Sequence, residues 1–385
     1  MLYLKNTPTY VPMPATADLH IHSPFSIAVS RFMQPEELIR GCVTKGIRVL
    51  GTGDALQPDW QNGWRPFLEN DPGIVIVPQG EIEDIKRVHH VIIAEDLSQF
   101  DQLRDLLKGT CRSFETSGRP HVYLSGEEIA NAAHDVGALV GPAHAFTPWT
   151  AMYAYFDSVP ACYGAAEIDF LELGLSADSS YGAAIPDLYG IPFLTNSDAH
   201  SPYPDRLGRE FNRLRIRSPT AKDVLTAIRA GDVEMNAGFF PEEGKYNRTA
   251  CTRCYKQYSL EDAIRRQWYC PDDGGIIKKG VSDRAKELSG GSTVRPRPPY
   301  LHVLPLAQII QTMEGASSPN TKKCRAIYAS FISTFGNEIA VLIDIPVAEI
   351  RAVNPKVADA IAALRNGTVI LHPGGGGKYG TFSLE

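Results

Sequence analysis

No apolar run of about 18 residues, the length a membrane-spanning helix needs, occurs in this chain of 385 residues, although 43% of it is hydrophobic. The first residues show no charged-then-apolar leader pattern, so a soluble, intracellular and cytoplasmic protein is expected. Cysteine is sparse. Of the seven, Cys42, Cys111, Cys162 and Cys324 are scattered, and only Cys251, Cys254 and Cys270 lie close together. That distribution excludes a paired extracellular framework and points to reduced thiols plus one metal-type cluster. There is no Gly-x-Ser-x-Gly elbow and no G-x4-G-K-[ST] loop, so neither serine-hydrolase nor Walker-type phosphate chemistry is indicated. A chain of this length is expected to divide into two or three domains.

Positive charge is short overall, with a net of −6, but it is unevenly placed. Residues 244–300 hold 12 Lys+Arg against 6 Asp+Glu, which leaves 26 against 38 for the rest. The same basic stretch carries Tyr246, Tyr255, Tyr258, Trp268 and Tyr269. Basic charge interleaved with rings fits a phosphate-binding, base-stacking surface. A small solvated module with its own aromatic core fits as well.

Up to about residue 240, short apolar runs alternate with helical stretches. The runs are 15–21, 47–53, 74–80, 88–94, 138–143, 168–173 and 191–196. Between them, PEELIRGCVTKG has Pro35 at a helix start and Gly46 past its end, and SGEEIANAAHDVG places Glu128 three residues after Ser125. Such alternation predicts an α/β fold with parallel strands. Most runs end in a potential ligand: His20 and His22, Asp54, Glu81, His144, Glu172, then Asp198 and His200. In the fourth run the ligand, His90, comes near the start instead. Catalytic groups gathered at successive strand ends are the mark of barrel-type α/β enzymes.

His20, His22, Asp54, Glu81, His90, His144, Asp198 and His200 form the candidate ligand pool. Mixed imidazole and carboxylate donors suit zinc, manganese or iron better than magnesium alone. These eight exceed one coordination shell, so two or three divalent ions (Zn, Mn or Mg) are expected. Ions about 3.5–4 Å apart can stabilise the attacking and leaving oxygens of a phosphoryl displacement. Glu81 and Asp198 are the expected bridging or water-orienting catalytic carboxylates, with a metal-activated water as nucleophile. The chemistry read from the residues is metal-assisted phosphoester hydrolysis.

Beyond the barrel-like region (1–240), residues 241–285 carry Cys251-x2-Cys254 and Cys270-Pro-Asp-Asp273. Two such knuckles aim four ligands at one tetrahedral centre, a zinc-ribbon pattern in which Asp273 replaces the fourth cysteine. A structural zinc on Cys251, Cys254, Cys270 and Asp273 is expected, with Asp272 or a water able to complete the shell instead, the alternative being a ribbon held by packing alone. Residues 286–300 read as a Gly/Pro/Arg linker opening a mostly helical C-terminal domain (286–385). Helices are expected around 304–314, 319–335 and 355–366, with a strand at EIAVLIDIP. The chain then reaches HPGGGGKYG, whose glycines would let amides approach a phosphate beside Lys378 and Tyr379, or would form a flexible tail.

DLHIHS, GEIED, GPAHAF and NSDAHS, in that order, resemble the motifs of the PHP (polymerase and histidinol phosphatase) superfamily of metal-dependent phosphoesterases over roughly residues 15–240. The resemblance implies a distorted (β/α)7 PHP barrel with a di- or trinuclear site. It assigns His20, His22, Asp54, Glu81, His90, His144, Asp198 and His200 to ligand positions. Where members often have an Asp-His pair, this chain has TGDA, so the third ion's shell is thin. The order of barrel, Cys-rich ribbon and helical tail ending in PGGGGKYG resembles, more narrowly, the endonuclease Q family.

That family resemblance implies a nuclease that nicks DNA 5′ of deaminated bases (uracil, hypoxanthine, xanthine) or at abasic sites, working on a flipped-out base. LELGLSAD and AFTPW follow strand ends and are candidates to line the base pocket. Gly174 would allow close approach there, and Trp149 would stack, wedge or simply pack in the core. DNA is then the partner, and no membrane is; a sliding-clamp partner is not readable, since no clear clamp-binding motif occurs. A histidinol-phosphate-like small-molecule phosphatase would use the same metals without needing the basic ribbon or glycine tail. A metal-free DNA-binding accessory would not need the near-complete ligand set.

Overall fold

The computed structural model describes residues 12–111 and 114–384. Residues 1–11, read above for a leader, lie outside the described residues. Strand β1 (Met13–Asp18) pairs in parallel with β2 (Val49–Gly51), and β2 with β3 (Val75–Val77). Past Pro78 the chain continues as β4 (Gln79–Glu83), which pairs with β5 (His89–Ile93), and β5 with β6 (Leu139–Pro142). The Asp169 amide donates to Val140 O at 2.9 Å, joining β6 to β7 (Leu171–Glu172), which is parallel to β8 (Phe193–Leu194). Finally Ile21 bridges Ala199, and the His22 amide donates to Ala199 O at 3.0 Å, bringing the chain after β8 back beside the chain after β1. The strands thus run round a mixed α/β ring.

The expectation of parallel strands fails at β5, which is antiparallel to both neighbours. The turn at 84–88 is too short for a crossover, which needs a dozen or more residues. Asp84 Oδ1 accepts the Lys86 and Val88 amides at 2.8 Å each, and Arg87 adopts a φ of 70°. The reversal sends the start of β5, not its end, to the pole where the other strands finish.

Inside the ring, Ala17, Leu19, Val49, Val77, Val91, Ile93, Leu139 and Leu194 pack together. Outside it, Ile82, Ile92 and Val140 meet Ile129, Ala130, Ala133 and Tyr163 of the surrounding helices. The helix Pro35–Lys45 ends at Gly46 with a φ of 95°, and Gly126–Asp135 carries the Ser125/Glu128 capping box, both as the sequence implies. Three further strands extend the sheet from β1: β9 (Phe211–Ile216), β10 (Val233–Gly238) and, after an excursion, β13 (Tyr300–His302).

The excursion is the ribbon. Here β11 (Ala250–Cys251) pairs antiparallel with β12 (Ile277–Lys278) over a small core of Cys251, Ala263, Cys270 and Ile277. The stretch read as linker is part helix, since Val281–Ser289 is helical before the chain runs without regular structure to Tyr300. Helices Leu306–Met313, Lys322–Phe335, Val347–Val353 and Pro355–Asn366 then build the C-terminal core. EIAVLIDIP is not a strand: Ala340–Asp344 forms a π-helical turn. Arg365 explains this locally, because its guanidinium donates to the carbonyls of Val341, Leu342 and Ile345 and satisfies them without a partner strand.

Lys45 and Glu338, both buried, pin this region to the barrel through a 2.7 Å ion pair. The glycine-rich segment is the loop of a hairpin between β14 (Val369–His372) and β15 (Thr381–Leu384). Among the described residues no helix is long and apolar enough to cross a membrane.

Candidate active site

His20 and His22 leave the end of β1 on the same side of an extended segment, two residues apart. His20 Nδ1 lies 2.8 Å from Glu172 Oε2, and His22 Nδ1 lies 2.9 Å from Asp54 Oδ1. Each ring is therefore held by a carboxylate at one nitrogen, while its Nε2 is buried without a hydrogen-bond partner. Those two Nε2 atoms and the Asp198 carboxylate form one group of mutually close donors; Glu81, His89 and His144 form a second.

Glu81 joins the two. Its Oε1 stands 3.0 Å from His89 Nδ1 and 3.2 Å from His144 Nε2, and its Oε2 stands 3.5 Å from His22 Nε2. Asp198 Oδ1 lies 3.2 Å from His22 Nε2 and 3.5 Å from His200 Nε2, which puts His200 at the partly exposed rim. Asp54, His144 and Asp198 all adopt positive φ, at 47°, 32° and 46°. Such backbone costs of order 1–3 kcal/mol per residue and persists where surrounding contacts over-determine it. Gly174, with a φ of 73°, packs so closely on His144 that an added Cβ would collide with it. Its need for glycine is thus explained by the placement of His144.

Two of the expected ligands do not face this centre. His90 is replaced by its neighbour His89. Val91 and Ile93 point into the ring, so His89 does too, while His90 points outward with Ile92. There His90 Nδ1 sits 2.7 Å from Tyr163 Oη and Nε2 3.3 Å from Asp84 Oδ2. Asp54 stands behind His22, its other oxygen accepting from the Ser23 amide and hydroxyl and the Ser26 hydroxyl. The groups that the sequence reading left out of the site are His89, Glu172 and Arg119. The His89-His90 doublet and the strand-end position of Glu172 were visible signals; Arg119, on a loop outside every motif, gave none.

Charge in the cluster is tightly coupled. Burial pushes the His20 imidazole down, but Glu172, Glu81 and Asp198 outweigh it and raise its pKa to about 9. His22 is raised well above its usual value, with Asp54 as the main opposing charge. Burial raises Glu81 and Asp198, yet the surrounding imidazoles hold both well below the usual carboxylate range. The donor set fits divalent ions: unpartnered buried imidazole nitrogens, bridging carboxylate, and second carboxylates orienting the rings.

Arg206 and Arg209 line the opening beside Asp198 and His200, and they also line a neighbouring cavity of about 530 Å³. That cavity is walled by Trp149, Leu175, Ser176, Glu243, Tyr246 and Tyr379. Trp149 is no core residue. It is 47% exposed, meets Tyr246 edge-on at 4.6 Å, and lies 4.8 Å under the Lys278 ammonium.

A family model described as PHP-associated matches residues 184–233, and one described as the MJ0043 C-terminal domain matches 305–368. The uncharacterized protein MJ0043 of Methanocaldococcus jannaschii is 44% identical over 247 residues, and this chain spans only 31% of its length. The uncharacterized protein YqxK of Bacillus subtilis is 34% identical over 301 residues, 76% of this chain and 73% of that protein. Among solved structures, the lesion-specific endonuclease PfuEndoQ from Pyrococcus furiosus superposes with a TM-score of 0.93 at 44% identity, covering 97% of this chain and 96% of that one. An endonuclease Q held with a 27-mer duplex bearing an abasic lesion at the active site gives 0.90 at 43%, covering 97% of each. The chain belongs to the endonuclease Q family.

In this endonuclease Q chain the ribbon brings all four expected ligands together. Cys251 Sγ is 3.4 Å from Asp273 Oδ1, Cys254 Sγ is 3.7 Å from Cys270 Sγ, and the Gly275 amide donates to Asp273 Oδ1 at 2.8 Å. The glycine loop is not an open phosphate cradle. The amides of Gly374, Gly375, Gly377 and Gly380 donate to Glu242 O, Lys378 O, Lys245 O and Glu243 O. Tyr379 is exposed at the cavity edge, with the Lys245 ammonium 5.6 Å above its ring.

Proposed function

We propose that this chain is a metal-dependent DNA endonuclease that hydrolyses the phosphodiester 5′ of a deaminated base (uracil, hypoxanthine or xanthine) or of an abasic site. The carrying observation is the pair of donor groups bridged by Glu81, opening through Arg206 and Arg209 onto an aromatic cavity. The abasic duplex bound by a relative of 43% identity supports the same reading. His20, His22 and Asp198 would hold one divalent ion and Glu81, His89 and His144 another, with His200 at the rim. Such ions lower the pKa of water and stabilise the charge that develops on phosphate oxygens. Glu172 and Asp54 keep His20 and His22 turned to the centre, and Asp198 orients the attacking water.

A base leaves its stack at a cost of a few kcal/mol, less at a mismatched lesion. The cavity of Trp149, Tyr246 and Tyr379 receives it between rings, while Lys245 and Lys278 offset backbone charge. Glu243 lines this cavity with one carboxyl oxygen unpartnered, and burial raises its pKa to about 7. In its neutral form it can donate a hydrogen bond to the carbonyl that deamination installs in place of an amino group. A structural zinc in the ribbon and a cytoplasmic location complete the reading.

The test incubates the protein with Mn²⁺ or Mg²⁺ and labelled duplexes carrying uracil, hypoxanthine, an abasic site or no lesion, alongside p-nitrophenyl phosphate. Nicking 5′ of the lesion, abolished in Asp198→Ala with DNA binding retained, is expected. Turnover of p-nitrophenyl phosphate with no nicking would favour the small-molecule phosphatase instead.

A further inference from the structure

Both Asp54 oxygens are engaged by His22, Ser23 and Ser26, so this carboxylate offers the centre no free donor. A cation reaches the same centre from elsewhere in the chain. The segment around Arg119 is fixed on both sides: the Gly118 amide donates to Phe25 O at 3.0 Å, and the Glu83 amide donates to Pro120 O at 3.0 Å. Gly118 presses so closely on Asp54 that a side chain there would strike its carboxylate. Arg119 Nη1 then lies 3.1 Å from Glu81 Oε2, the oxygen turned toward His22. This is the one protein partner of the guanidinium among the described residues, and its side chain remains 25% exposed. The rest of its five N–H donors are available to a ligand entering the centre. Of the two arginines that line the opening beside Asp198, Arg209 has its Nε committed to Ser197 O at 2.8 Å.

We propose that Arg119 is a catalytic residue of this site, its guanidinium contacting a non-bridging oxygen of the scissile phosphate. In the step it serves, a water oxygen bonds to phosphorus and the P–O3′ bond breaks. The 3′ oxygen leaves with the bonding pair and takes a proton from solvent, while the water's proton passes to solvent. Arg119 transfers no proton; it offsets the negative charge that builds on the non-bridging oxygens. A guanidinium is not deprotonated in proteins, so the group stays charged through the working pH range.

The inference rests on the nuclease reading, and the experiment separates the two. Arg119→Ala and Arg119→Lys in the full chain are compared with the parent by single-turnover cleavage of a uracil duplex at saturating protein. DNA affinity is read by anisotropy in Ca²⁺, and bound ions are counted by elemental analysis. Arg119→Ala should slow cleavage by about 100- to 1,000-fold, the loss typical of removing one preorganised transition-state donor, with ion count unchanged. Arg119→Lys, or guanidinium added to Arg119→Ala, should restore part of the rate. Cleavage by Arg119→Ala within about threefold of the parent would overturn the proposal, since a transition-state contact must lower kcat. So would an ion count that falls with the rate, which would make Arg119 a positioning residue for Glu81. If the parent nicks no lesion duplex, the nuclease reading fails first, and the same criteria apply to bis(p-nitrophenyl) phosphate.

Discussion

His89→Ala and His90→Ala, changes at adjacent positions, should fail in opposite ways. His90 is fully buried between Tyr163 Oη at 2.7 Å and Asp84 Oδ2 at 3.3 Å, and both partners are themselves buried. Truncating it strands the buried Tyr163 hydroxyl, worth about 1–3 kcal/mol, and opens a cavity beside Asp84, so a loss of about 2–5 kcal/mol is expected. At about 2–4 °C per kcal/mol for a domain of this size, the melting temperature should drop by roughly 5–15 °C. Ion content and cleavage by the folded protein should hold. His89→Ala removes one of the three donors grouped with Glu81 and His144. It should lose an ion and slow cleavage by more than the roughly 10–100-fold typical of groups that only orient a ligand. The assay is elemental analysis after dialysis, thermal melting and lesion-duplex cleavage on both variants. Retained ions in His89→Ala together with lost ions in His90→Ala would refute the reasoning.

Three further outcomes follow from the ribbon and the cluster. Cys254→Ser should remove one zinc per chain without touching the barrel ions; an unchanged count would mean a ribbon held by packing alone. Ion affinity of the barrel centre should rise with pH toward about 9, because the ions must displace protons from His20 and His22. In the ion-free protein the sign is opposite. The raised His20 pKa contributes stability that is fully present below its ordinary value of 6.5 and lost as pH climbs through about 9. Competition titrations and melts across pH 6–9 read both, and pH-independent affinity would contradict the first.

The centre was largely legible because its donors recur at the ends of apolar runs, and His20, His22, Glu81, His144 and Asp198 meet in space. The misplaced donor has a specific cause. The fourth run had its histidines at the start, an anomaly that makes sense only once the 84–88 turn reverses β5. Reversal decides which end of the strand reaches the pole, and side-chain alternation then decides between His89 and His90. Neither can be read from composition. FNRLRI and VEMNAG escaped notice as strands since their mixed polar and apolar content reflects a half-covered sheet extension. EIAVLIDIP reads as a strand by propensity, and Arg365, some twenty residues later, settles it as a helical turn. Arg119 is visible only in three dimensions.

β13 is another feature that composition hides. Tyr300–His302 follows the ribbon, yet it lies in parallel beside β10 as the outer strand of the barrel's own sheet. A fragment cut at residue 240, where the composition changes, would therefore expose the backbone edge of β10, an open template for intermolecular strand addition. Anyone expressing the catalytic half alone would be preparing an aggregation-prone surface. The smallest sound unit must loop out the ribbon and keep the strand that follows it.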